Sequence, residues 1–405
     1  MNTRRRAQRT AGAAGLLFLT ACAAAAPAVR IEPLPPPEPP PPALFAAGLE
    51  ERLDSIVTAA IADSTSPGVA IAVGRHGKVA ILKGYGRTDW VDSAPPVTPE
   101  TMYDLASLTK VIASTTAAML LEEEYRLDLD RPVVSYLPEF DSTDKAAITP
   151  RLLLMHRAGF EAYAQLYRDF SGREQYLAQI NARPLRYQPG ARAIYSDWSP
   201  IVLQLVMERI TGQPLDVFAR DRIFTPLGMT STMYRPPDSL RARVAPTEIR
   251  PSTGTPLHGR VHDENAEAIG GVSGHAGLFG SAADLAIFAQ MMLNGGYTGS
   301  SWLLRPETIA RWTARKERDA SRAYGWDTPS PGSSAGRYFS PRSFGHTGFT
   351  GTSMWIDPQK DLYVIVLTNA VNPTRRHTKH FRLRRDIADA VQSAVTDQPL
   401  MQWEP

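Results

Sequence analysis

A serine hydroxyl is a poor nucleophile until a base takes its proton, and residues 104–110, Asp-Leu-Ala-Ser-Leu-Thr-Lys, offer one arrangement that could do so. Ser107 and Lys110 stand three positions apart, which in a helix puts both side chains on one face. A buried lysine with a depressed pKa can serve as the base. At a helix N-terminus the Ser107 backbone N–H would also point toward a developing oxyanion. A second Ser-x-x-Lys, Ser142 to Lys145, makes the motif weak by itself. Context separates the two. Val111, Ile112 and Ala117 to Leu121 continue an apolar helix after Ser107, whereas Ser142 lies in a polar run ahead of a new helix start at Thr149. The plainer alternative for Ser107 and Lys110 is a capping serine and a solvated lysine.

Two further segments could join them. Tyr195-Ser196-Asp197 directly precedes the helix start Ser199-Pro200, so a loop tyrosine there could direct its hydroxyl into a cleft and relay a proton. Taken alone it would more often be a packed aromatic. His346-Thr347-Gly348 lies in a glycine-rich stretch, Gly345 to Thr352, that reads as a strand. Bare backbone at Gly345 and Gly348 would let a substrate lie along that edge as an added strand. A tight turn between strands is the alternative.

The elements that must position these residues follow a simple order. Leu49, Leu53, Ile56, Val57, Ala60 and Ile61 recur at helical spacing until Pro67-Gly68. Val69, Ile71 and Val73, then Val79 and Ile81, alternate around His76-Gly77 as a hairpin. Ser353 to Ile356 and Leu362 to Leu367 read as strands, and Phe381 to Val395 as a closing helix. Residues 100–340 are mostly helical pattern broken by proline and glycine. Thr149-Pro150 opens a helix ended by Gly159, and Ser199-Pro200 another ended by Gly212. Strands at both ends with helices between argue for an α+β fold, an α/β sandwich. Its antiparallel sheet (about 49–99 and 340–396) is flanked by helices and interrupted by a large helical insertion (about 100–340), all within a domain spanning 44–398.

The 405 residues are 43% hydrophobic and 21% charged, the balance of a globular chain that can bury a sizeable core. Lys and Arg, 44, nearly cancel Asp and Glu, 41, and no basic stripe appears, so a nucleic-acid partner is not expected. Cys22 is the only cysteine, which leaves no internal disulfide and no cysteine metal cluster. Arg4, Arg5, Arg6 and Arg9 precede an apolar run, Ala11 to Ala21, that is too short to span a bilayer. Residues 1–21 read as a signal peptide. Leu19-Thr20-Ala21-Cys22 resembles the bacterial lipoprotein signal, in which the cysteine is lipidated. An ordinary cleaved signal is the alternative, and the paired arginines leave room for twin-arginine export. Residues 22–43 turn to alanine and then proline, a tether whose polyproline II segment could reach roughly 50 Å. The expected location is the cell envelope, membrane-anchored and facing the periplasm or exterior.

"DLASLTK", "QPGARAIYSD", "IFTPLGM" and "GHTGFTGT", in this order, resemble the serine β-lactamase and penicillin-binding-protein superfamily, whose motifs are S-x-x-K, Y-x-N and K-T-G. "ITPRLLLMHRAGF", "VHDENAEAIGGVSGHAGLFGSAADLA" and "LTNAVNPTRR" look like its class C-related branch, which includes low-molecular-weight D-alanyl-D-alanine carboxypeptidases. The resemblance runs from about Leu49 to Val395. It implies the β-lactamase/DD-peptidase fold, an active site between sheet and helices, a Ser acyl-enzyme, and no cofactor or metal. Ser107, Lys110 and Tyr195 would then be catalytic, and Asp197, His346, Thr347, Gly348 and Phe349 would bind substrate. The oxyanion would sit between the N–H groups of Ser107 and Phe349. The substrate would be a peptidoglycan peptide or another small molecule. Two positions depart from the motifs. His346 replaces the lysine of K-T-G, leaving a group only partly charged near neutral pH. Asp197 replaces the asparagine of Y-x-N and would favour a charged Lys110.

Other chemistries are readable. Gly332-Ser333-Ser334-Ala335-Gly336 satisfies the G-x-S-x-G elbow, but Pro329 and Pro331 precede it where a buried strand is required. His258, His262, Asp263 and His275 crowd one region as metal ligands would, yet the glycines and proline among them make a helix there improbable. An esterase of the same fold, or a lipid-anchored cell-wall or penicillin binder without turnover, are the remaining alternatives.

Overall fold

Val69, Ile71 and Val73 alternate with Ala70 and Ala72 in β1 (Gly68–Arg75), and every one of them is buried. A computed structural model of the chain describes residues 45–401 apart from 142 and 318–320. The signal segment, Cys22, the proline-rich tether and Ser142 therefore lie outside the described residues.

From β1 the chain turns through His76 and Gly77, both at positive φ, into the antiparallel β2 (Lys78–Gly86). Three short strands, β3 (Met102–Asp104), β4 (Met233–Tyr234) and β5 (Leu278–Ser281), form a sheet of order β3-β5-β4. Then β6 (Phe344–Thr347), β7 (Ser353–Asp357) and β8 (Leu362–Thr368) complete a five-stranded sheet of order β2-β1-β8-β7-β6. β8 pairs antiparallel with β1, so both ends of the chain build one sheet and the middle is inserted, the α+β arrangement the pattern implies.

The two-residue period of the strands sorts this sheet into two cores. Val69, Ile71, Val73, Val364 and Val366 pack with the first helix, Leu49–Ala62, and the last, His380–Ser393. Ala70, Ala72, Ile365 and Leu367 face the other way, into the core of the inserted helices. The small alanines leave room for the helix Ala282–Leu293 against β1 and β8.

The structure departs from the sequence expectation in four places. The three-stranded sheet lies inside the stretch read as helical, because strands of two to four residues are too short to display alternation. The helix capped by Thr149 is only Pro150–Leu154 and does not run to Gly159, since His156 turns the chain at φ 54. The helix closed by Gly212 begins at Trp198, with Asp197 and not Ser199 at its N-cap. Finally, the strand expected over Gly345 to Thr352 ends at Thr347. Among the described residues, no helix is long and apolar enough to cross a membrane.

Candidate active site

The approach to Ser107 is set by Asp104, the last residue of β3. Its buried carboxylate accepts the Ala106 N–H at 2.9 Å and the His262 N–H at 2.6 Å. This local turn holds Ala106 at φ 47, a left-handed conformation uncommon for a residue with a Cβ. Ser107 then stands, half-buried, at the start of a helix over 108–123, whose Lys110–Thr115 segment widens into a π-helical turn. Lys110 is 3% exposed. Its Nζ donates to Ser107 Oγ at 2.9 Å, to Asp197 Oδ1 at 2.8 Å and to the His275 carbonyl at 3.1 Å, which uses all three protons of an ammonium. Burial works against that charge, but the Asp197 carboxylate, aided by Tyr195, outweighs it and raises the lysine pKa. The depressed lysine expected of a buried base is thus replaced by one held in its charged form. Asp197 occupies a helix N-cap without capping, because its carboxylate is turned to Lys110.

Tyr195 reaches the same point on a loop fastened to residues 156–162. The Ile194 N–H donates to the His156 carbonyl at 3.0 Å, the Ser196 N–H to His156 Nδ1 at 3.1 Å, and the Ser196 hydroxyl to the Glu161 carbonyl at 2.6 Å. The Tyr195 ring lies 5.0 Å from Lys110 Nζ, 4.6 Å from the His156 ring and 5.9 Å from the His346 ring. Ser107, Lys110, Tyr195, Asp197 and His346, spread over most of the chain, therefore converge.

His346 differs from its expected chemistry. Its Nδ1–H donates to the Thr347 carbonyl at 2.8 Å, and its buried Nε2 has no hydrogen-bond partner among the described residues. Burial, reinforced by the Arg322 and Lys110 cations, lowers its pKa to about 3. The ring is neutral at pH 7, so the partly charged group read from the sequence is absent. The glycines beside it also serve another purpose than the one expected. A Cβ at Gly345 would meet the Met354 carbonyl at 2.3 Å, and one at Gly348 would meet Thr352 Oγ1 at 2.1 Å and the Leu105 carbonyl at 2.4 Å. They make room for the protein's own backbone. The outer edge of β6 is already paired at Gly345, which exchanges two hydrogen bonds with Asp327 at 2.8 and 2.9 Å. Past Thr347 the chain makes a tight turn, with the Gly348 N–H on the Thr352 carbonyl at 2.7 Å. Phe349, 57% exposed, lays its ring on His262 at 5.8 Å between centroids. The backbone N–H groups of Ser107 and Phe349 make no hydrogen bond among the described residues.

The rival sites do not assemble. Ser334 accepts the Trp355 indole N–H at 2.9 Å in an irregular segment with no helix after it. Lys145 pairs with Asp144 at 2.5 Å. His258 Nε2 bonds to the Val244 carbonyl at 2.8 Å and His262 Nε2 faces Glu248 at 3.2 Å, so neither joins His275. Asp197, Asp263 and His275 do bring ligand atoms within 4.8 Å of one another, but Lys110 already supplies the cation there. A cavity of about 680 Å³ beside Tyr125 lies elsewhere, lined by Glu122, Asp130, Arg151 and Arg311, which pair among themselves or with each other's neighbours. Arg322 went unrecognised in the sequence. Its guanidinium stands 5.1 Å from the Tyr195 ring, and its buried Nη1 has no hydrogen-bond partner among the described residues, with Asp327 at 3.8 Å. A lone arginine in an irregular stretch has no spacing or period to mark it.

Ser107 held against the buried Lys110 ammonium at the start of a helix is an arrangement suited to a serine hydrolase. The chain belongs to the β-lactamase family, whose model matches residues 53–389. An Escherichia coli O157:H7 protein named "Putative D-alanyl-D-alanine carboxypeptidase" is 36% identical over 349 residues, covering 76% of this chain and 79% of that protein. Among solved structures, EstCE1, a hydrolase with promiscuous acyltransferase activity, is 24% identical with a TM-score of 0.67 over 85% of this chain and 98% of its own. A class C β-lactamase is 17% identical with a TM-score of 0.71 over 87% and 98%. These last two establish the shared fold.

Proposed function

We propose that the protein is a D-alanyl-D-alanine carboxypeptidase-like hydrolase that passes an acyl group to Ser107 and then to water. The observation that carries this reading is the Ser107–Lys110–Asp197 chain of 2.9 and 2.8 Å contacts beside Tyr195. Ser107 Oγ attacks the carbonyl carbon, and its proton is shared by the Lys110/Tyr195 pair, starting from the form in which Lys110 has given up its own proton. The oxyanion accepts hydrogen bonds from the Ser107 and Phe349 N–H groups, each worth about 3 kcal/mol in the transition state. The pair then protonates the leaving amine. Water attacks the Ser107 ester, gives its proton to the same pair, and the acid product leaves as the hydroxyl is restored.

With His346 neutral, the group that meets a substrate carboxylate is Arg322, whose guanidinium lies beside Tyr195 and whose Nη1 has no hydrogen-bond partner among the described residues. A D-alanyl terminus supplies that carboxylate, and the family relatives named carboxypeptidases support this substrate class. The signal-like head and Cys22 support export and a lipid anchor at the cell envelope. The exposed Phe349 favours a second reading, an esterase accepting apolar acyl groups. Intact-mass measurement after incubation with D-alanyl peptides, penicillins and nitrophenyl esters tests the reading. The expected adduct is on Ser107 and absent in Ser107→Ala, with turnover fastest for the peptide. Labelling without product release would instead make the protein a binder, and no adduct with any donor would end the proposal.

A further inference from the structure

The mechanism leaves several buried cations unused, Arg384 among them. Arg384, on the last helix, is 3% exposed and forms no ion pair with a carboxylate among the described residues. Burial alone pushes its pKa down to about 9, an expense that a salt bridge would ordinarily offset. Two of its donor nitrogens are turned instead to main-chain oxygens. Nε donates to the Gly351 carbonyl at 2.9 Å and Nη2 to the Gly348 carbonyl, the two ends of the turn that carries Phe349. The other side of that turn is fastened to the segment leading into the nucleophile. The Thr350 hydroxyl donates to the Asp104 carbonyl at 2.7 Å and the Thr352 hydroxyl to the Leu105 carbonyl at 3.0 Å. Gly351, at φ 119, packs where a Cβ would strike Thr368 Oγ1 at 1.9 Å, so the turn has little room to shift.

We propose that Arg384 is a positioning residue: by gripping both ends of the Gly348–Gly351 turn it holds the Phe349 N–H in register with the Ser107 N–H, so that the two donors meet one oxyanion. This rests on the acyl-transfer reading above. A donor that must sit within hydrogen-bond reach of a developing charge loses its effect on small displacement, and a shift of about 1 Å costs about 10²-fold in rate. Holding the turn by its carbonyls leaves the Phe349 N–H unengaged for substrate.

The test uses the full-length protein and the donor that acylates Ser107 fastest. Arg384→Gln is expected to lower kcat about 10²-fold with KM changed less than about threefold. Its affinity for a phenylboronic acid, which forms a tetrahedral adduct on serine, is expected to fall in proportion, and Arg384→Lys to recover part of both. A folded Arg384→Gln protein that keeps wild-type kcat, or loses activity only through KM, overturns the inference. Should Arg384→Gln not fold, Thr352→Val releases the turn from its opposite side. A kcat fall there supports the clamp and an unchanged kcat refutes it. Failure of the underlying reading looks different, since the wild-type protein would then form no Ser107 adduct.

Discussion

Lys110 keeps its proton because Asp197 faces it, and that single carboxylate sets how the site responds to pH. Rate is expected to rise toward alkaline pH as Lys110, held charged by Asp197, loses its proton. Asp197→Asn removes the anion that raises the lysine pKa, so the limb should move to lower pH and the rate at pH 7 should increase; a pH profile of kcat/KM checks both. The ion pair's contribution to stability has the matching sign. It is present below the unfolded lysine value and fades as pH rises through the raised folded value. His346 behaves oppositely. Its pKa is near 3 in the fold against 6.5 unfolded, so the unfolded chain binds the proton first and stability falls as pH drops from 6.5 toward 3. Urea midpoints across that range should show His346→Gln losing up to about 1.4 kcal/mol per pH unit of this dependence.

At the scale of elements, the site depends on turns more than on helices or strands. Ala106 in its left-handed turn leads into Ser107, the 191–197 loop brings Tyr195 and Asp197, and the Gly348–Gly351 turn carries Phe349. Gly348 is a tight point beside the nucleophile, because a Cβ there would meet the Leu105 carbonyl at 2.4 Å. Gly348→Ala is expected to push the two oxyanion donors apart, costing about 1–3 kcal/mol of stability and a larger share of kcat than of KM. Thermal melting with steady-state kinetics measures both, and unchanged kinetics would show that the contact is relieved elsewhere.

On the scale of the molecule, β1 and β8 are shared by both cores, with alternate residues facing the terminal helices and the inserted ones. Loss of packing on either face should therefore weaken the whole domain. Ile365, fully buried toward the inserted helices, is expected to cost about 2–5 kcal/mol when changed to Ala, read as a shift in denaturant midpoint. Activity per folded molecule at 25 °C should be unchanged, since Ile365 is in the sheet interior and not in the site.

Ser107 with Lys110, the hairpin, the strands after Ser353 and the two terminal helices were legible because each is written in local spacing: three for a helical face, two for a strand. The α+β order followed from where those periods occur along the chain. Charge states were not legible. Whether Lys110 is depressed or raised, and whether His346 is a cation, depends on burial and on Asp197, Arg322 and each other, groups brought close only by folding. Arg322 and Arg384 were silent for the same reason, since their roles come from neighbours distant in sequence. Local pattern determined the elements and the order of the reactive residues; the three-dimensional packing alone decided which protons they hold and which backbone N–H groups stay unpaired, because electrostatics and hydrogen bonding act through space and not along the chain.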